Sequence, residues 1–185
     1  DSSGFPENGL VGTSSKRRAL QLKKLYPQSR TCGIRGNVQT RLRKLTEENM
    51  DATILAAAGL NRLGMEKHIG RYFTVDEMIP AAGQGILGIQ GRAGEDYPWI
   101  EALDCEESRY AALAERQFVR VLDGGCSSPV AAHAVICGQE LYLRGLYYNE
   151  CDDSYFTSEI TGNVKDAEKL GETLAFKMQK EAQDE

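Results

Sequence analysis

Val38, Leu42 and Leu45 recur at the three-to-four-residue spacing of a single helix face within VQTRLRKLTEEN, which predicts a helix. Ahead of it, GTSSKRRALQLKKLYP offers Ser14 or Ser15 as the N-cap of a helix that stops before Pro27. RTCGIRGN, between the two, predicts a short strand closing in a Gly-Asn turn. DATILAAAGL is a continuous apolar run that predicts a buried strand, leading into a short helix over NRLGMEKHIG. Strands and helices alternating at this spacing predict a parallel α/β layer. Ligands of such layers bind beyond the carboxyl ends of the strands, at the loops that enter helix N-termini.

The pattern then changes. VDEMIPAAGQGILGIQGR predicts an extended, glycine-rich segment with Pro80 near its start. Gly83, Gly85 and Gly88 satisfy G-x-G-x-x-G, but no helix opens after them, so a dinucleotide role is rejected and close backbone packing is the reading adopted. EESRYAALAERQFVRVLDGG has Tyr110, Leu113, Ala114, Phe118 and Val121 at helical spacing. Gly124 and Gly125 end that helix and deliver Cys126 on the following loop. VAAHAVICGQELYLRGLYYNE predicts two strands across a Gly-Gln turn, SYFTSEIT a third, and DAEKLGETLAFKMQKEAQ a closing amphipathic helix. These elements predict a small α+β domain, an antiparallel sheet with helices on one face.

Composition narrows the classes. The 185 residues are 41% apolar and 26% charged, as in an ordinary globular protein. No apolar run approaches the ~18–20 residues of a membrane span. DSSGFPENG lacks the cationic start and apolar stretch of a signal peptide, and a cytoplasmic location is expected. The five cysteines are odd in number and contain no C-x-x-C pair, which argues against a disulfide framework. With only two histidines beside them, no metal site is expected.

Charge is distributed unevenly. Ten of the basic residues fall between Val11 and Lys44, a window with no Asp or Glu, whereas the chain as a whole carries −5. That asymmetry calls for an anionic partner. Arg17 and Arg18 lie in the first turn of a helix behind Thr13, Ser14 and Ser15, where free N–H groups favour an anion. Arg35 stands at a strand end in IRGN, Arg41 lies along the next helix, and Arg62 follows a third strand–loop. In an α/β layer these guanidinium groups would converge on one cleft and grip planar anions in two-pronged fashion. Tyr26 is the only aromatic residue in the basic window, so no stacking platform for nucleic acid is expected. A small ligand with several carboxylates fits better. Cys126, between Gly-Gly and Ser-Ser-Pro, reads as a nucleophile, a redox thiol, a covalent anchor or an incidental surface thiol, with His133 the one nearby base.

The motifs VGTSSKRRALQL, IRGNVQTRL, DATILAAAGLNRLG, PAAGQGILGI and LDGGCSSPVAAHA together resemble the porphobilinogen deaminase family, from about Val11 to His133. The resemblance implies part of a periplasmic-binding-protein-like α/β lobe followed by a small α+β domain. It implies a second lobe with the arginine-rich cleft over 1–78, a segment returning to another lobe over 79–104, and a C-terminal domain over 105–185. It further implies a transferase of tetrapyrrole and haem biosynthesis that joins four porphobilinogens head to tail, releasing ammonia, on a dipyrromethane primer held by a thioether to Cys126. By the same likeness, Arg17, Arg18, Arg35, Arg41 and Arg62 bind the acetate and propionate arms of cofactor and substrate. Thr13, Ser14, Ser15, Ala56 and Gln84 match positions lining the same cleft. The implied partners are porphobilinogen and the growing pyrrole chain, with no metal, nucleic acid or membrane, in a monomer.

The match has gaps. The family's catalytic aspartate sits in a Lys-Asp motif of a preceding lobe that is separate, fused or cut away here; neither Asp51 nor Asp104 is appointed in its place. No catalytic residue is therefore assigned, and the chain alone is expected to be inactive. The returning segment is expected to leave an unpaired strand edge. Lys16 stands where the family usually has leucine. The alternative reading is a non-catalytic binding module for small polycarboxylates.

Overall fold

Leu10–Gly12 (β1), Arg30–Cys32 (β2) and Ala52–Thr53 (β3) are short parallel strands in the order β2-β1-β3. They are seen in a computed structural model that describes Phe5 and residues 7–122, 129–149 and 154–184. Parallel neighbours need a crossover, and helices supply it: Lys16–Leu25 (α1) joins β1 to β2, and Val38–Glu47 (α2) joins β2 to β3. Because β2 and β3 flank β1 on opposite sides, the strand order reverses between β1 and β3. Such a switch point opens a crevice at the carboxyl ends of the strands. Val11, Leu22, Ile54 and Met78 form a buried cluster, with Phe5, Tyr26 and Phe73 packed against it. Phe5 stacks on Tyr26 at 4.3 Å between ring centroids.

The apolar run from Ala52 is mostly not strand. Only Ala52–Thr53 pairs with β1, and a helix, Ala57–Arg62 (α3), begins inside the alanine run. An apolar run alone does not distinguish the two states, and alanine is the strongest helix former. The helix expected over NRLGMEKHIG likewise ends at Arg62, and Glu66–His68 forms one 3-10 turn.

The chain divides after Met78 into two compact units. In the second, Ala131–Cys137 (β4), Glu140–Asn149 (β5) and Ser154–Asn163 (β6) form an antiparallel sheet in sequence order. Cys137 lies opposite Glu140, so Gly138 and Gln139 make the expected two-residue turn. Glu106–Val121 (α5) and Ala167–Asp184 (α6) pack together over it, burying Ala114, Phe118, Leu141, Leu143, Leu174 and Met178. Gly171 permits the close helix contact: a Cβ there would lie 2.3 Å from the Ala114 carbonyl oxygen.

The segment from Ile79 to Asp104 contains no strand; it runs through turns to the short helix Ile100–Leu103 (α4). After the reverse turns at Gly83 and Gly85 the chain joins neither sheet over residues 86–92. Among the described residues no helix is long and apolar enough to cross a membrane, and no cluster of side chains could hold a metal ion.

Candidate functional site

The loops leaving β1, β2 and β3 are stitched to one another by hydroxyl groups. The Ser14 hydroxyl donates to the Ile34 carbonyl at 2.8 Å and accepts the Ile34 N–H at 2.9 Å. The Thr13 N–H donates to the Cys32 carbonyl at 2.8 Å, and the Thr53 hydroxyl donates to the Gly12 carbonyl at 2.8 Å. A hydroxyl both gives and accepts a bond, so Ser14 satisfies both polar groups of one buried residue. Thr13 is buried, and its Oγ1 accepts the Ser15 N–H at 3.2 Å. Ser15 is the N-cap of α1: its Oγ accepts the Arg18 N–H at 3.4 Å.

Lys16, Arg17 and Arg18 fill the first turn of α1, which carries no acidic residue. The helix dipole places partial positive charge at that end, so three cations there oppose its preference. Arg17 is only 6% exposed. Its pKa is lowered to about 10, first by burial and then by the charge of Arg18. Arg18 donates through Nη1 to the Ile54 carbonyl at 2.8 Å, spanning the β1–β3 switch point. Burial and then Arg41 lower its pKa as well. Arg41 is held by a bond from its Nε to the Gly36 carbonyl at 2.8 Å, while Asn37 caps α2 by accepting the Thr40 N–H. Arg17, Arg18 and Arg41 thus form one crowded, partly desolvated cationic group at the carboxyl end of the sheet. Its guanidinium donors suit carboxylates.

The other expected residues are placed differently. Arg35 is exposed between β2 and α2, and Arg62 is exposed in the last turn of α3. Among the described residues no hydrogen bond or ion pair ties either to the cationic group. Ala56 is the N-cap of α3 and makes no side-chain capping bond. Gln84 is exposed on a turn of the second unit. Cys126 lies outside the described residues, as do Gly124 and Gly125.

Two aspartates make structural bonds. Asp51 accepts the Leu10 N–H at 2.7 Å, at the amino end of the sheet and so away from the arginines. Asp104 pairs with Arg109 at 3.3 Å. A Lys-Asp dipeptide does occur, at Lys165-Asp166, but both residues are exposed in the 3-10 turn that enters α6.

The Gly-x-Gly motif has a different cause from the one expected. A Cβ at Gly83, Gly85 or Gly88 would meet nothing within 4 Å, so close packing does not require them. Gly83 and Gly85 instead have φ of 73° and 94°, each at the third position of a reverse turn, Ala81–Gln84 and Gly83–Ile86. Glycine is the residue that tolerates this.

Glu115 escaped the sequence reading. It is 3% exposed, in the middle of α5. Its Oε2 accepts the Gly83 N–H at 2.6 Å and its Oε1 the Ala134 N–H at 2.7 Å. Burial raises its pKa, opposed by those two donors. The Nδ1 of His133 is 3.7 Å from Oε1, and burial lowers the His133 pKa. A signal was present: Glu115 lies four residues after Ala111 and three before Phe118, a charge on the apolar face of a helix.

Comparison with known proteins adds to this geometry. A family model described as "Porphobilinogen deaminase, dipyromethane cofactor binding domain" matches residues 1–98, and one described as its C-terminal domain matches 109–180. A protein named porphobilinogen deaminase from Ruminiclostridium josui is 50% identical over 178 residues, covering 94% of this chain and 61% of that protein. One of the same name from Ruminiclostridium cellulolyticum is 49% identical, covering 93% and 59%. The one from Clostridium acetobutylicum is 46% identical over 93% and 59%. The chain thus spans about three fifths of the length of these relatives.

Proposed function

This chain belongs to the porphobilinogen deaminase family, and on that premise we propose that it supplies the cofactor-binding and C-terminal parts of a hydroxymethylbilane synthase. The reaction is the head-to-tail joining of four porphobilinogens with release of ammonia. The observation that carries this reading is the cationic group of Arg17, Arg18 and Arg41 at the switch point, beside a loop scaffold fixed by Thr13, Ser14 and Ser15.

A dipyrromethane carries acetate and propionate arms, and this donor set fits them. Arg18 and Arg41 are already oriented by backbone carbonyls, so little side-chain freedom is lost on binding. Arg17 lies in the same group, buried and beside the charge of Arg18, where positive charge favours an anionic ligand. Arg35, Arg62, Ala56 and Gln84 are the further residues assigned to cofactor and substrate. Cys126 is the attachment point. When bound, the cofactor supplies the pyrrole carbon from which the chain grows. The Lys-Asp dipeptide at Lys165-Asp166 begins a helix in the second unit, so the general acid/base is assigned to no residue of this chain.

An intact mass of the chain, expressed in cells that make porphobilinogen, with a peptide map across Cys126, tests the reading. The expected result is a mass excess of two linked pyrroles on that peptide, abolished in Cys126→Ser. An unmodified Cys126, in a chain whose melting temperature porphobilinogen does not raise, would overturn it. A polycarboxylate-binding module predicts instead that Cys126→Ser changes neither mass adduct nor affinity.

A further inference from the structure

Glu115 costs the fold free energy wherever it is ionised, because a carboxylate within the apolar face of α5 has left water. It is held by two backbone donors from separate segments. β4 is an edge strand, so alternate N–H groups along it have no partner in the sheet, and Oε1 takes that of Ala134. The turn Ala81–Gln84 is closed by the Gln84 N–H on the Ala81 carbonyl at 2.9 Å. The N–H of Gly83, at the third position of that turn, is left outside the closing bond, and Oε2 takes it at 2.6 Å. Ala82 gives the turn an apolar contact with the core, whereas a Cβ added at Gly83 would meet no atom within 4 Å. The bond from Gly83 to Glu115 is thus the directional attachment of the turn.

We infer that Glu115 is a positioning residue: its carboxylate fixes the Gly83–Gln84 turn to α5 and so sets where the Gln84 side chain stands. The inference rests on the reading of Gln84 as a cofactor- and substrate-binding residue. The chemistry demands a carboxylate. Two N–H donors converge on two acceptor oxygens, and an amide of the same shape would set its own NH2 against one of them. His133 is the titratable group facing Glu115 from β4.

Amide hydrogen exchange and 15N NMR on the chain, comparing wild type with Glu115→Gln, test the attachment. Exchange at Gly83 should rise about tenfold or more, the consequence of losing a charge-assisted bond, with Ala114 and Phe118 in α5 unchanged. In the wild type, the Gly83 and Ala134 amide shifts should titrate together with one midpoint above 4.5, a readout that does not depend on the variant folding. Separate midpoints, or exchange at Gly83 within twofold of wild type, would overturn the attachment. For function, porphobilinogen is the probe. Gln84→Ala and Glu115→Gln should weaken its binding by similar factors, and the double variant should be no weaker than either. Fully additive effects would overturn the positioning role. Equal affinity of wild type and Gln84→Ala would overturn the reading of Gln84 and the functional half of the inference, while exchange alone decides the structural half.

Discussion

The guanidinium of Arg18, in the first turn of the helix after β1, donates at 2.8 Å to the carbonyl of Ile54, the residue after β3. One side chain therefore bridges the two strands between which the order of the sheet reverses. It also stands where Arg41 adds positive charge. Replacing it with Gln keeps part of the reach and removes the charge. Arg18→Gln should weaken porphobilinogen binding at least about tenfold by isothermal titration, the scale of a charge-assisted pair, while lowering stability only about 1 kcal/mol. An unchanged affinity would remove the cationic group from the binding site.

Ser14 acts through the backbone. Its hydroxyl is both donor to and acceptor from Ile34, and alanine can be neither. Ser14→Ala should destabilise the first unit by about 1–2 kcal/mol in urea denaturation. Porphobilinogen affinity should fall with it, because the Thr13–Ser15 loop loses its tie to the residues after β2. Unaltered stability would mean that water replaces both bonds.

Gly171 sets the distance between α5 and α6. A Cβ there would lie 2.3 Å from the Ala114 carbonyl and 3.0 Å from the Phe118 nitrogen, both rigid backbone. Gly171→Ala should cost about 1–3 kcal/mol, with the helices forced apart, as in other overpacked cores. Thermal unfolding reads this directly. Gly88→Ala, where no atom lies within 4 Å, is the control and should be close to neutral.

His133 makes the second unit sensitive to acid. Burial lowers its folded pKa below the ordinary 6.5, so below that pH the unfolded chain takes up protons that the folded chain does not. Stability should be retained above 6.5 and fall as the pH drops from there toward the folded pKa. Glu115, with its pKa raised by burial, contributes in the opposite sense: its protonation on acidification relieves a buried charge. Urea midpoints measured from pH 8 to pH 5 should therefore fall less in His133→Gln than in the wild type. Parallel profiles would show that His133 ionises alike in both states.

Much of this arrangement could be read from the chain. The helix over VQTRLRKLTEEN, the cap ahead of KRRALQL and the Gly-Gln hairpin all follow from local rules, and α2, α1 and the β4–β5 turn obey them. Residues 52–62 were less legible, because an apolar run of alanines suits strand or helix and only pairing with β1 decided that two residues are strand. The glycines near Gln84 were legible as a motif but not as turns, since φ is set by the path of the backbone.

The periodicities, the caps, the concentration of positive charge before Lys44 and the motifs of the family follow from residue order alone, since all are properties of neighbours along the chain. Folding buries Arg17 and Arg18 and sets Arg18 beside the charge of Arg41, while Arg35 and Arg62 stand exposed. It also decided that Glu115 joins a turn 32 residues before it to a strand 19 residues after it. Burial and hydrogen-bond direction depend on which segments fold against each other, and that is fixed by packing across the whole unit, not by any local pattern.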